Sequence, residues 1–190
     1  ARTWQDKLNA LRRCRPIRLL QAAANPALFN TGDSYFRLPR LEDRPPTLME
    51  RLAAYQDSEL PAKSVAAVEL VRSVVERHQK VVCWSNFVAN LDHFRRLLRD
   101  KIAVPCFQID GRVPAGTDSL RDDPNEGLER PGEDDTREAI IHRFLTTEGP
   151  AVLVTNPASC SESISLHRSC HNAIYLDRTY DCALFLQSID

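Results

Sequence analysis

"AVLVTNPASCSESISLHRSCHNAIYLDRTYD", Ala151 to Asp181, is the stretch that decides the fold. It holds two short apolar runs, AVLVT and AIYLD, with a polar stretch of Ser, Asn, Cys and Glu between them. Short Val-, Leu- and Ile-rich runs bounded by polar residues predict buried strands. A polar segment rarely joins two such strands as a mere linker. It belongs on a rim of the sheet.

Working upstream, "KVVCWSNF" (Lys80 to Phe87) reads as another buried strand that breaks at Ser85-Asn86. "VANLDHFRRLLRD" follows as an amphipathic helix, with Leu91, Phe94, Leu97 and Leu98 on one face. "VPCFQIDG" is a strand closed by the turn pair Asp110-Gly111. "DTREAIIHRFLTT" is a helix, with Asp135 or Thr136 as its N-cap. "PAKSVAAVELVRSVVERHQ" predicts a helix that starts behind Pro61 and carries Val65, Val68, Leu70, Val71, Val74 and Val75. "CALFLQSID" is helical. Strands and helices thus alternate, and crossovers of this length imply parallel strands with helices on both faces. In open α/β sheets ligands gather at the carboxyl ends of strands. Those ends are Ser85-Asn86, Asp110-Gly111, Thr155-Asn156 and Asp177-Arg178, and all four are polar.

The rest of the chain is less regular. Residues 4–24 have helical spacing, and Pro16 is expected to start a new helix or kink one. Basic residues crowd there, either as a solvated face or as a contact with phosphates or a neighbouring domain. Residues 24–47 are rich in turn formers, and "TLMERLAAYQ" is a short amphipathic helix. Residues 112–135 are acidic, with little apolar content, and read as a flexible surface insert.

With 190 residues the chain can bury one core of moderate size. Its net charge of -1 gives no global basic footprint, so any nucleic-acid binding must come from a local patch. No apolar run approaches the ~20 residues of a membrane span, and the first residues lack the apolar core of a signal peptide. The six cysteines form no CxxC pair, and several sit in apolar runs. Reduced thiols and a cytoplasmic location, or nuclear in a eukaryote, are expected. "HRSCH", His167 to His171, offers metal-ligand types but has no partner cluster and reads as a loop-to-strand junction. There is no GxxxxGK[ST] phosphate loop, no GxGxxG and no GxSxG elbow. The chain has only 6 glycines and builds no nucleotide cradle by itself.

The order of these segments resembles the second RecA-like lobe of superfamily-two helicases, in particular the Swi/Snf-like branch of double-stranded DNA translocases. "KVVCWSNF" is similar to that family's strand with a lysine-apolar-apolar-x-x-Ser-x-Phe pattern. "FQIDGRV" resembles its strand ending in Asp-Gly, "TREAIIHRF" its helix that opens with Arg, and "NPALF" its Asn-His-Pro-x-Leu stretch. "VLVTNPASCSESISLHRSCHNAIYLDRTYDCALFLQSID" resembles its fifth motif and extension. The likeness covers 63–111 and 136–190, and 8–29 loosely; 31–60 and 112–135 look like variable insertions. Ser163 stands where the family usually has glycine, and Ser165 where it usually has asparagine.

The resemblance implies an α/β fold, a RecA-like three-layer sandwich with a mainly parallel sheet, preceded by a helical N-terminal extension. Residues 1–60 would be that extension and 61–190 the lobe, ending before the family's sixth motif with its arginines. Ser85, Asn86, Asp110, Gly111, Thr155 and Asn156 are the implied nucleic-acid contacts. Glu162, Ser163 and Ser165 would couple that grip to the ATP cleft, and Gln187 and Asp190 would lead into the arginine helix. Implied cofactors are ATP and Mg2+ in the full-length protein, held largely by a first lobe of the same chain. Duplex DNA is the implied partner, with RNA as the alternative, and no ATP hydrolysis is expected from this polypeptide alone. A rival reading is a non-catalytic nucleic-acid or protein-binding module that kept the lobe's shape.

Each residue also has a plainer role. Ser85 and Asn86 could cap the next helix, Asp110-Gly111 could be only a turn, and Glu162 a surface carboxylate. Asp177 is expected to orient its own loop, and Arg137 is either a solvated first-turn residue or a DNA contact. Trp84 and Phe87 are expected in the core rather than stacking on bases.

Overall fold

The computed structural model describes residues 4–30, 45, 51–52, 55, 59–114, 136–159, 166–178 and 182–187. The chain divides into two units, Ala1–Ala66 and Ala67–Asp190. In the first, helix α1 spans Trp4–Ala24 and is followed by a short 3-10 turn, Pro26–Asn30. Helix α1 runs on through Pro16 as one element, so the proline does not start a new helix, one of the two outcomes the sequence predicted. Proline removes one backbone hydrogen bond, and a helix of 21 residues retains full turns on either side of it. Arg12, Arg13 and Arg15 are exposed. At its end Asn25 Oδ1 accepts from Ala27 N at 3.0 Å, which turns the chain into the 3-10 segment.

Helix α2, Ala62–Glu76, begins directly behind Pro61 and leads into the second unit. Its buried residues there are Ala67, Val68, Val71 and Val74, a stripe at helical spacing. Val65 and Leu70, which the sequence placed in the apolar set, are exposed. The helix ends in a paired hydrogen-bond closure: His78 N donates to Val75 O and Gln79 N to Val74 O. This is a Schellman-type end, and it holds His78 at a φ of 56°.

Strand β1 (Val81–Trp84), helix α3 (Val88–Lys101), strand β2 (Cys106–Ile109), helix α4 (Arg137–Thr146), strand β3 (Val152–Thr155), a 3-10 turn (Pro157–Ser159), strand β4 (Asn172–Tyr175) and helix α5 (Cys182–Gln187) follow in order. The four strands form one parallel sheet in the order β2-β3-β1-β4, with Val81 opposite Val152 and Asn172, and Cys106 opposite Val152. Strands β1 and β3 are central and buried on both faces, which is why they read as unbroken apolar runs.

The pleat sends alternate side chains to opposite faces. Val81, Cys83, Val152 and Val154 pack with Leu91, Phe94, Leu97 and Leu98 of α3 and the α2 stripe. Val82, Trp84, Leu153 and Ile109 pack with Phe144, against which Ile140, Ile141 and Leu145 of α4 also lie. Helix, sheet and helix therefore make three layers. Thr136 caps α4 by accepting from Ala139 N, which settles the choice between Asp135 and Thr136. Cys83 lies in the core, where burial pushes its thiol well above the usual range. It behaves as a small hydrophobe.

Candidate functional site

Parallel strands place all four polar strand ends on one rim, and hydrogen bonds run across it from edge to edge. At the end of β4, the Asp177 carboxylate accepts from Asn86 N and Asn86 Nδ2, both at 2.8 Å, and from the Ser85 hydroxyl. Ser85 Oγ in turn accepts from Phe87 N at 3.2 Å and Asn90 Nδ2 at 3.3 Å. At the end of β3, Asn156 Nδ2 donates to Asn86 O at 2.9 Å, and Asn156 N donates to Ile109 O at 3.3 Å, the end of β2. The order of links, β4 to β1 to β3 to β2, follows the order of strands. Ser85 N also donates to Thr155 O at 3.1 Å.

Burial divides the predicted contacts into two groups. Ser85, Asp110 and Thr155 are buried; the first two hold their loops through side-chain hydrogen bonds, and Thr155 accepts from Ser85 N through its backbone carbonyl. Asn86 and Asn156 are half-buried and Gly111 is exposed. A Cβ at Gly111 would meet nothing within 4 Å among the described residues, so they leave the position open to approach. Ser85 does not cap α3. The N-cap position is Phe87, without a side-chain bond, and Ser85 lies before it. Asp177 does more than orient its own loop, since its oxygens serve the neighbouring strand end.

At the outer end, Asp110 accepts from Arg112 N and Nε on one oxygen and from Arg112 Nη2 and Gln108 Nε2 on the other, at 2.8–3.0 Å. Arg112 also reaches Asp92 of α3 at 2.6 Å and 3.0 Å. Hydrogen bonding from Arg112 lowers the Asp110 carboxyl to about 2 and pulls Asp92 below its usual value. The same partners push Arg112 up. Asp110-Gly111 is indeed a turn, closed by Val113 N donating to Asp110 O at 3.0 Å, and it is also the seat of this ion cluster.

Sequence reasoning missed Asp92, Gln108 and Arg112. The spacing of Asp110 and Arg112 across a turn was a legible sign of the pair, whereas Asp92 comes from a separate helix. Arg137 takes a role not foreseen. Its Nε donates to Val113 O at 2.8 Å and its Nη1 to Ser159 O at 3.4 Å, joining two rim loops. Trp84 is buried and stacks on Tyr175 at 6.4 Å, as expected of a core residue. Arg178 stands on the rim with its guanidinium over the Tyr175 and Phe185 rings, at 5.7 Å and 4.7 Å.

Glu162, Ser163, Ser165 and Asp190 lie outside the described residues, as do Asp135, most of "TLMERLAAYQ" and the insert from 115 to 135. Gln187 is the last residue of α5. Among the described residues the rim carboxylates do not fit a Mg2+ site: Asp110 is tied to Arg112 and Asp177 to Ser85 and Asn86.

No protein-family model and no curated protein matches the sequence. Among solved structures, the C-terminal part of the Fun30 ATPase domain is similar at a TM-score of 0.52 and 18% identity, over 68% of this chain and 36% of that one. The C-terminal domain of the Sulfolobus solfataricus SWI2/SNF2 ATPase aligns at 0.49 and 16% identity, over 94% of this chain and 59% of that one. T4 UvsW aligns at 0.47 and 10% identity, over 66% and 21%. The chain spans about a third of the length of the Fun30 chain it matches. With its parallel sheet and helices on both faces, the chain shares the RecA-like α/β fold of the C-terminal part of the Fun30 ATPase domain.

Proposed function

We propose that this chain is the second motor lobe of a nucleic-acid-dependent ATPase, and that its sewn rim grips the phosphate backbone of duplex DNA. The observation that carries the proposal is the hydrogen-bonded line from Asp177 through Asn86 and Asn156 to Ile109. Such a line fixes the backbone N–H groups and amides of four strand ends relative to one another. Contacts of that kind grip phosphates without reading sequence. In this account the second side-chain N–H of Asn86 and the open backbone at Gly111 present the contacts, and Asn156 ties Asn86 into the line. Ser85, Asp110 and Thr155 hold them in place.

A rigid rim suits a lobe that moves as one body. When two lobes close on ATP, a grip fixed within one lobe carries the strand with it. ATP and Mg2+ enter through the resemblance: Glu162, Ser163 and Ser165 would couple the rim to the cleft, and a first lobe would hold the phosphates and the metal.

ATP hydrolysis by the intact protein that contains this chain tests the proposal. The expected result is turnover stimulated by duplex DNA, with the stimulation cut about tenfold by Asn86→Ala, and none above a protein-free blank for the chain alone. Turnover indifferent to nucleic acid, stimulation by RNA alone, or ATP hydrolysis by the isolated chain would overturn it. An intact protein with no turnover would favour the non-catalytic module.

A further inference from the structure

Strand β2 is an edge of the sheet. Its inner side is bonded to β3 and the segments that flank it, with the carbonyls of Pro105 and Ile109 accepting from Val152 N and Asn156 N. In a parallel ladder alternate residues turn their N–H and C=O groups to the same side. Residues 105, 107 and 109 therefore face β3, and Cys106 and Gln108 turn theirs outward. A row of outward backbone groups is a template for another strand.

A groove of about 550 Å³ runs against this edge, and Arg95, Cys106, Phe107, Gln108, Ile140 and Arg143 are among its lining residues. Arg95 comes from α3 on one face of the sheet, and Arg143 from α4 on the other. Arg112 stands at the same groove, bonded to Asp92 and Asp110. Among the described residues no Asp or Glu lines it. Arg95 Nε is buried and has no hydrogen-bond partner among the described residues. A buried donor left without an acceptor is costly, and a carboxylate matches a guanidinium best. The Cys106 thiol beside it is neutral, pushed up to about 11 by burial, and a neutral thiol is a weak acceptor.

We propose that the outer edge of β2 binds an extended acidic peptide of a partner protein, which adds to the sheet as a fifth strand. Its backbone pairs with the N–H and C=O groups of Cys106 and Gln108. Successive side chains of a strand point to opposite faces. Two adjacent acidic residues then divide between the sides, one reaching Arg95 and the next reaching Arg143. Main-chain pairing supplies affinity and the two arginines select the acidic pair. This inference stands apart from the rim, which lies at the strand ends.

The test is fluorescence anisotropy of a labelled Val- and Thr-rich peptide with a central Glu-Asp pair, titrated with this protein. Saturable binding is expected, and a Lys-Lys counterpart should not bind. Arg95→Gln and Arg143→Gln should each weaken binding about tenfold, the scale of one charge-assisted hydrogen bond. Cys106→Pro removes an outward N–H at the first residue of an edge strand, where proline is tolerated, and should weaken binding to a similar degree. A peptide N-methylated at its pairing amides tests the same bonds without altering the protein, and it should fail to bind. Equal binding of the Lys-Lys peptide, indifference to the arginine substitutions or full binding of the methylated peptide overturns the proposal. So does duplex DNA that displaces the peptide with the same arginine dependence.

Discussion

The Asp177 carboxylate accepts a hydrogen bond from the Ser85 hydroxyl, across 92 positions of sequence, and so joins the ends of two adjacent strands. Its other oxygen takes both the backbone and side-chain amides of Asn86. Three donors converge on one buried carboxylate, so this contact governs the shape of the rim.

Asp177→Ala removes the acceptor and leaves those three donors short of it. Each buried group so stranded costs about 1–3 kcal/mol, reduced where water enters. A loss of about 2–4 kcal/mol in urea unfolding is expected. Asp177→Asn keeps an acceptor for Asn86 and should cost about half as much.

The Asp110–Arg112–Asp92 cluster predicts a pH dependence. Asp110 titrates near 2 in the folded chain, and Asp92 is lowered as well, both chiefly through hydrogen bonds from Arg112. An unfolded aspartate titrates at about 3.9. A carboxyl lowered on folding contributes stability that is fully present above its unfolded value and is lost as pH falls through its folded one. Acid unfolding should therefore draw on this cluster between about pH 4 and about pH 2. In Arg112→Gln the NMR titration of Asp110 should move up towards the ordinary value, and the acid-unfolding midpoint should move to higher pH.

His78 is held at a φ of 56° where α2 ends, a left-handed conformation that glycine adopts freely. His78→Gly should raise stability by about 1 kcal/mol, the steric relief less the added freedom of the unfolded chain. Thermal unfolding reads this as a higher Tm.

Phe144 is fully buried under the sheet and meets the Phe107 ring edge-on at 6.1 Å. Phe144→Ala should cost about 3–5 kcal/mol, and Phe144→Leu markedly less. Urea unfolding of the two variants gives the comparison.

The strands were legible because β1 and β3 are buried on both faces, which leaves no polar residue within Val81–Cys83 or Val152–Val154. Their parallel arrangement followed from the helices between them. The strand-end residues were legible as polar breaks after apolar runs. The direction each would face was not, because Ser85 turns inward only through a carboxylate 92 positions away. Asp92 and Arg137 escaped for the same reason: their partners, Arg112, Val113 and Ser159, are set by how loops meet in space. The α2 stripe was misplaced at Val65 and Leu70 because Ala67 fills the core with a small side chain that hydrophobic spacing undercounts.

The most direct test of the rim is the affinity of this chain for duplex DNA as salt is raised. Phosphates neutralised by cationic side chains such as Arg178 on the rim make log K fall linearly with log salt, by about 0.9 each, regardless of sequence. Binding at low ionic strength that falls steeply with salt, is equal for unrelated sequences and is weakened by Asn86→Ala and Asn156→Ala is the predicted result. Absence of salt-dependent binding at low ionic strength, or binding untouched by both substitutions, would contradict it.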